Sequence, residues 1–373
     1  MKIILSEYSS GFSDYSYILC NELSKDININ KLVYLTDKNN IYIKKINSRV
    51  KVVKLFNCFA ADDRHKKGSI LWLFNRGLTT LLNCIKRNKY VRKEKPDTIL
   101  IQSTLVLFDS YFLKSLRKIT RVVLTVHDVI APTKSMEWSM KSLKRMYENA
   151  DLLVVHSETN KKQLIEIFKI QEDKIRVIPH GVNSKFLKYD KNECRKQLNI
   201  LDNKKVFLFY GGIRKSKGLD ILIKALKGID CILIISGNLP YGESFEEYRK
   251  LILENGIRTV EYIKFTEDAF RDILFQASDY LVLPYKEFYS QSGVFMQSIQ
   301  YHVPIIATDV SSFKEFINKY DIGFIAKPND QSSLRKVILN AITIQKDYEE
   351  NMNQAILENS WEVAGRLYAE TLK

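Results

Sequence analysis

Arg214 and Lys217 stand in the stretch Phe207-Leu-Phe-Tyr-Gly-Gly-Ile-Arg-Lys-Ser-Lys-Gly-Leu-Asp220. Two glycines end a strand ahead of them, and a third opens a helix after them. In an open α/β sheet, ligands bind beyond the carboxyl ends of the strands. A forked guanidinium and a point-charge ammonium on such a loop suit a diphosphate. The plainer reading is a surface turn with two solvated cations; the strand, glycines and helix around it favour phosphate. A second stretch, Leu283-Pro-Tyr-Lys-Glu-Phe-Tyr-Ser-Gln-Ser-Gly-Val-Phe-Met-Gln297, leaves a strand and enters a helix near Ser292-Gly293. A helix N-terminus offers free N–H groups and a positive dipole end to an anion, and Gly293 lets the backbone come close. An ordinary capped helix would look the same.

Three further segments carry weaker signals. Val123-Leu-Thr-Val-His-Asp-Val129 sets His127 at a strand end, where it can polarise a substrate or simply pack as a hydrogen-bonded histidine. The loop Ser6–Ser13, with Gly11, follows the first strand and is a candidate cleft wall; no GxGxxG or Walker motif is present. Residues 69–87 interleave Trp72, Phe74, Leu78, Leu81, Leu82 and Ile85 with cations. Such a helix can lie among anionic lipid headgroups, or it can face a core with a solvated basic edge.

These residues need a scaffold, and the 373-residue chain is long enough for two domains. Its 45% hydrophobic and 27% charged residues exclude a disordered chain, a fibrous repeat and a coiled-coil rod. Short apolar runs alternate with amphipathic ones: strands are expected at 2–5, 31–35, 51–56, 98–102, 121–126, 152–156, 175–178, 206–210, 232–236, 260–263, 280–283 and 305–308. Most are continuous Ile/Val/Leu runs, as in a parallel sheet covered on both faces. Repeated β-α-β predicts two doubly wound α/β domains. Pro179–Asn183 marks the seam, which gives domains of 1–183 and 184–356. The final helical run with Trp361 is expected to cross back, adding 357–373 to the first.

The net charge of +15 is lopsided. Residues 1–180 hold 32 Lys and Arg against 18 acids, and residues 64–95 hold ten against the single Glu94. That half should attract an anionic surface. The five cysteines, Cys20, Cys58, Cys84, Cys194 and Cys231, are scattered, which argues against a zinc site and for a reducing compartment. The start, MKIILSEYSS, reads as a buried strand rather than a signal peptide, and no apolar run reaches membrane-spanning length.

In this order the motifs resemble the retaining glycosyltransferases of family 4, in the Gln-Ser-Gly-Val subgroup. The resemblance runs through Thr125-Val-His-Asp128, Val177-Ile-Pro-His-Gly-Val182, the Gly-Gly-Ile-Arg-x-x-Lys-Gly segment, Gln291-Ser-Gly-Val294 and Pro304-Ile-Ile-Ala-Thr-Asp309 to Ser360-Trp361. It implies the GT-B architecture, two Rossmann-like domains facing across a cleft. It also implies a UDP- or GDP-linked sugar donor on the second domain and a glycan or polyprenyl-linked acceptor on the first. Donor contacts would come from Gly11, Gly212, Arg214, Lys217, Ile263, Gln291, Ser292, Gly293, Val294 and Gln297. Arg214 and Lys217 would neutralise the departing diphosphate without a metal, and His127 would stand beside the transferred sugar. No further cofactor is implied. Two features depart from the family pattern. Tyr289 and Gln297 occupy the columns of a frequent Glu-x7-Glu pair, with Glu287 out of register, and Ser311-Ser312 replaces a frequent Gly-Gly.

The expected function is therefore sugar transfer in bacterial surface-polysaccharide assembly, in the cytoplasm or at the inner face of the membrane. The alternatives are another GT-B sugar-nucleotide enzyme of epimerase type and a basic nucleic-acid-binding protein. The second lacks a recognisable motif, and the best ligand loops lie in the near-neutral half.

Overall fold

The computed structural model describes residues 1–8, 13–57, 69–130, 137–344 and 346–373. They form two compact units, Met1–Pro179 with Trp361–Lys373, and His180–Ser360. Gly11 and the basic residues Arg64, Lys66 and Lys67 lie outside the described residues.

In the first unit, strands β1 (Lys2–Ser6), β2 (Lys31–Asp37), β3 (Val50–Phe56), β4 (Thr98–Ile101), β5 (Arg121–Thr125), β6 (Leu152–Val155) and β7 (Ile175–Val177) form one sheet. Its order is β3-β2-β1-β4-β5-β6-β7, and every pairing is parallel. Helices α1 (Ser13–Leu23), α2 (Ile70–Glu94), α3 (Val106–Leu116), α4 (Glu137–Glu148) and α5 (Glu158–Phe168) cover it. The apolar strand runs bury both faces. Ile4, Val33, Ile99 and Val122 point into one core layer, while Ile3, Leu32, Leu100 and Val123 point into the other.

The second unit repeats the plan. Strands β8 (Lys205–Tyr210), β9 (Cys231–Ser236), β10 (Arg258–Tyr262), β11 (Tyr280–Leu283), β12 (Ile305–Thr308) and β13 (Gly323–Ala326) run in the order β10-β9-β8-β11-β12-β13, again all parallel. Helices α6 (Lys191–Gln197), α7 (Leu219–Ala225), α8 (Glu246–Asn255), α9 (Asp268–Ala277), α10 (Gly293–Gln300), α11 (Phe313–Tyr320), α12 (Gln331–Thr343) and α13 (Glu349–Asn359) pack on the two faces. Strand β13 is absent from the sequence expectation. It is a four-residue edge strand that starts at glycine and has only its last residue fully buried.

The unit edges differ slightly from the sequence expectation. Val182 belongs to the second core, and its N–H donates to Asn359 O at 2.8 Å. Ile356 is buried in the same core, so the return to the first unit begins only at the last helix, α14 (Trp361–Leu372). There Trp361, Ala364, Tyr368 and Leu372 join the layer of Ile3, Leu5 and Tyr15. Tyr368 Oη meets Tyr15 Oη at 3.1 Å and Thr125 Oγ1 at 3.0 Å.

Helix α2 packs in an unusual sense. Its buried positions are Thr80, Asn83, Cys84, Arg87, Asn88 and Val91, mostly polar. Arg87 Nη2 lies 2.7 Å from Asp109 Oδ1 on α3, both side chains wholly buried. Asp109 Oδ2 also accepts from Leu105 N at 2.8 Å. Asn88 Nδ2 reaches Ser115 Oγ at 3.0 Å, and Asn83 Nδ2 donates to Asn57 O at 3.0 Å. The core-facing alternative for this segment is therefore reversed: the inward side is the polar one.

Removing one partner of a buried pair strands the other charge. Asp109→Ala should therefore destabilise the first unit by about 3–5 kcal/mol. Urea unfolding measures this; a loss under about 1 kcal/mol would show that Arg87 finds water or another acceptor.

Candidate functional site

The second sheet reverses its winding between β8 and β11, and the loops that follow these two strands meet. Lys286 N donates to Ser216 O at 2.8 Å, and Lys286 Nζ pairs with Asp220 Oδ2 at 2.9 Å. Lys217 Nζ sits 3.5 Å from the centre of the Tyr285 ring and 4.2 Å from that of Phe288. The two rings hold an ammonium beside the loop, and among the described residues no carboxylate pairs with it. Arg214 is exposed at the start of the same turn. Gly218 ends the turn at φ 70°, where a Cβ would stand 2.0 Å from Pro284 O. Only glycine lets the two loops approach this closely.

Helix α10 begins at this junction. Ser292 caps it, accepting from Phe295 N at 3.3 Å. Met296 N bonds Ser292 O, so the N–H groups of Gly293 and Val294 are the ones left to point outward. No heavy atom comes within 4 Å of where a Cβ on Gly293 would be. Gln291 is buried, and its Oε1 accepts from Ser312 Oγ at 2.7 Å. Its Nε2 is buried with no hydrogen-bond partner among the described residues. Gln297 Oε1, one turn into α10, is in the same condition. A buried donor and a buried acceptor left open at a helix N-terminus are what a polar ligand would satisfy. Gly212 lies beside Arg214 and Asn238: a Cβ there would be 3.9 Å from Arg214 Nε and 4.0 Å from Asn238 Oδ1. Ile263 follows β10, two strands along the sheet, and packs partly buried against the second unit's core.

Sequence reasoning missed how Ser311 and Ser312 act. Ser311 takes the left-handed conformation at φ 52°, which glycine adopts more readily than serine. Its Oγ donates to Ser290 O at 2.7 Å. With the Ser312–Gln291 bond, it ties the loop after β12 to the loop after β11. A pocket of about 420 Å³ opens at the opposite edge of the sheet, beside Lys205, Tyr280 and Pro304, which precede or start strands. It is remote from these loops.

The first unit gathers a different set at the carboxyl ends of its strands. His156, after β6, has Nδ1 3.0 Å from Ile178 O. A carbonyl only accepts, so that nitrogen carries a proton. Burial pushes the His156 pKa down to about 4, so the ring is neutral and its Nε2 is a lone pair. His127 Nδ1, 3.2 Å away, must then be the donor. That fixes the His127 tautomer and leaves its Nε2 facing Gln102 Oε1 at 3.1 Å. The Gln102 amide nitrogen is buried and has no hydrogen-bond partner among the described residues. Exchanging the amide's two ends lets it donate to a neutral His127 Nε2. Tyr15 packs edge-on against His127, with centroids 5.0 Å apart, and against Trp361 at 4.8 Å. The C-terminal helix thus backs the ring that holds His127. His156 and Gln102 carry no motif of their own, so spacing alone gave no sign of them.

Glu7, directly after β1, is 1% exposed. Burial pushes its pKa up to about 8, against hydrogen bonds from Tyr34 and Ser16 that pull it down, and the charges of Asp37 and Asp14 add to the rise. The folded state therefore holds a proton on Glu7 that the unfolded chain has released. This contribution is fully present below pH 4.5 and is lost as pH rises through about 8. Glu7→Gln should raise the urea midpoint relative to the unaltered protein, and by more at pH 8 than at pH 5. A pH-independent difference would contradict a protonated Glu7.

The comparisons with known proteins agree with this geometry. A family model described as "Glycosyl transferases group 1" matches residues 190–358, and one described as "Glycosyltransferase Family 4" matches 49–186. O-antigen chain mannosyltransferase C of Escherichia coli is 26% identical over 257 residues, 68% of this chain and 67% of that protein. Across the first relatives, the matched part spans between 50% and 67% of their own length. Sucrose-phosphate synthase of Thermosynechococcus elongatus superposes with a TM-score of 0.80 at 18% identity, over 100% of this chain and 98% of that one. Anabaena HepE in complex with UDP gives 0.76 at 19% identity, over 100% and 99%. At such identities the structural likeness speaks for the fold, and the fold is GT-B. With a group 1 glycosyltransferase model matching most of the second unit, a family 4 model matching much of the first, and GT-B structures along its whole length, the chain has the GT-B fold and is similar to the glycosyltransferases of family 4.

Proposed function

We propose that the chain transfers a sugar from a nucleoside-diphosphate sugar to a glycan acceptor carried on a lipid, in the assembly of a surface polysaccharide. The observation that carries this is the junction of the β8 and β11 loops. There Arg214, Lys217, the amide of Gln291 and the N–H groups of Gly293 and Val294 converge on one side of the second sheet. The set holds cations and donors and fits a diphosphate. Anabaena HepE is described in complex with UDP and with UDP-glucose, which supports a nucleotide at this kind of site. The O-antigen mannosyltransferases of Escherichia coli and a D-rhamnosyltransferase of Pseudomonas aeruginosa among the relatives support a polysaccharide product. The near-neutral second unit takes the soluble donor, and the basic first unit takes the acceptor.

In the transfer, an acceptor hydroxyl oxygen bonds the anomeric carbon as its bond to the diphosphate oxygen breaks. The hydroxyl proton leaves with the diphosphate. Arg214, Lys217 and the α10 N-terminus meet the charge that develops there, the task a divalent cation performs in other transferases. Gln297 offers the sugar a hydrogen-bond acceptor where a carboxylate is frequent in the family. His127, its tautomer set by His156, is the first unit's candidate for a residue that acts on the transferred sugar. Retention at the anomeric carbon and a place at the inner face of the cell membrane complete the reading. No described helix is long and apolar enough to cross a membrane, so the contact would be peripheral.

Calorimetric titration with UDP and with GDP tests the donor site. One nucleotide should bind in the micromolar range. Arg214→Ala with Lys217→Ala should weaken it at least about a hundredfold, as expected for two charge-assisted contacts. EDTA should leave sugar transfer unchanged. Equal binding by the double variant would remove the diphosphate site, and loss of transfer in EDTA would remove the metal-independent reading.

A further inference from the structure

The outward face of α2 is apolar. Leu71 is 60% exposed, Phe74 66%, Leu78 44%, Leu82 40% and Ile85 44%. Their spacing puts them on one stripe. From 71 to 85 the stripe is roughly 21 Å long at the rise of an α-helix. Ile70 and Leu73 are also exposed, and no residue from 70 to 79 is buried. The same stripe continues into Lys89 and Arg92, both exposed, with Lys93 beside them.

The helix cannot roll to hide this stripe. Its other side is locked by the buried Arg87–Asp109 pair and by the bonds of Asn83 to Asn57 and of Asn88 to Ser115. Turning the apolar side inward would break these contacts and drive a guanidinium and two amides into solvent. Apolar side chains are thus held outward by polar anchors, the reverse of an ordinary surface helix. A continuous exposed stripe of this length marks an interaction surface.

We infer that the outward face of α2 is a membrane-docking surface, with Leu71, Phe74, Leu78, Leu82 and Ile85 entering the acyl boundary of an anionic bilayer and Lys89, Arg92 and Lys93 meeting its headgroups. Charge decides between occupants. Two copies of the chain packed through this face would bring like charges together, whereas an anionic lipid surface complements them. The inference rests on the reading of a lipid-borne acceptor and adds the surface that reaches it. It also differs from attraction by charge alone, because the apolar stripe should hold the protein after salt has screened the cations.

Vesicle co-sedimentation of the full chain tests it, with vesicles of phosphatidylglycerol and phosphatidylcholine compared with phosphatidylcholine alone. The protein should bind the anionic vesicles at low salt and keep part of that binding at high salt. Leu71→Ser with Phe74→Ser and Leu78→Ser should weaken partitioning by about tenfold or more, given what each large apolar side chain gains on burial. All three side chains are exposed, so the fold and the thermal midpoint should be unchanged. Lys89→Gln with Arg92→Gln and Lys93→Gln should reduce binding mainly at low salt. Undiminished binding by the apolar variant would overturn the inference. So would a dimer, seen by light scattering, that the apolar variant dissociates. UDP and GDP titration of the same variants separates the two readings: intact nucleotide binding with lost vesicle binding spares the donor site, and the reverse spares the docking surface.

Discussion

Every strand pairing in both sheets is parallel. All carboxyl ends of a sheet therefore open at one end of it, and every return between successive strands of a sheet except that from β2 to β3 is made by an α-helix. Where the winding reverses, two loops leave in opposite directions and a crevice is left between them. In the second unit that crevice receives the turn with Arg214 and Lys217 and the start of α10. In the first unit the same end gathers Glu7, Gln102, His127 and His156 from four strands. The chemistry sits where the topology forces loops together, and the continuous Ile/Val/Leu strands bury both faces of the sheet beneath it.

Much of this was legible in the chain. The apolar runs gave twelve of the thirteen strands among the described residues, since a strand buried on both faces has no other way to be written. The missing one, β13, is short, starts at glycine and lies at an edge. The glycines of the β8 loop showed in sequence because Gly218 has no room for a Cβ beside Pro284. Side chains that act by long-range contact were not legible. His156 orients His127 from a neighbouring strand across 29 residues, and Asp109 anchors Arg87 from another helix. The orientation of α2 is the clearest case. Its apolar residues and cations were plain, but their direction depends on which side carries the buried polar anchors.

The two units divide the electrostatic labour. The second is close to neutral overall, and its β8–β11 junction carries Arg214, Lys217 and the Gln291 amide nitrogen, which has no hydrogen-bond partner among the described residues. The first carries nearly all the excess positive charge, and with it an apolar stripe pinned outward. That asymmetry fits the proposed transfer from a soluble, charged donor to an acceptor at an anionic surface. At Ser311 and Ser312, where the family frequently has Gly-Gly, a serine takes a left-handed turn and the two hydroxyls tie two loops together.

The most direct test of the donor site is a crystal structure of the protein with the nucleoside diphosphate it binds. The phosphates should lie within hydrogen-bond distance of the Arg214 guanidinium, the Lys217 ammonium and the N–H groups of Gly293 and Val294, with the Gln291 amide engaged. Phosphates bound instead at the opposite edge of the sheet, beside Lys205 and His302, would contradict this placement.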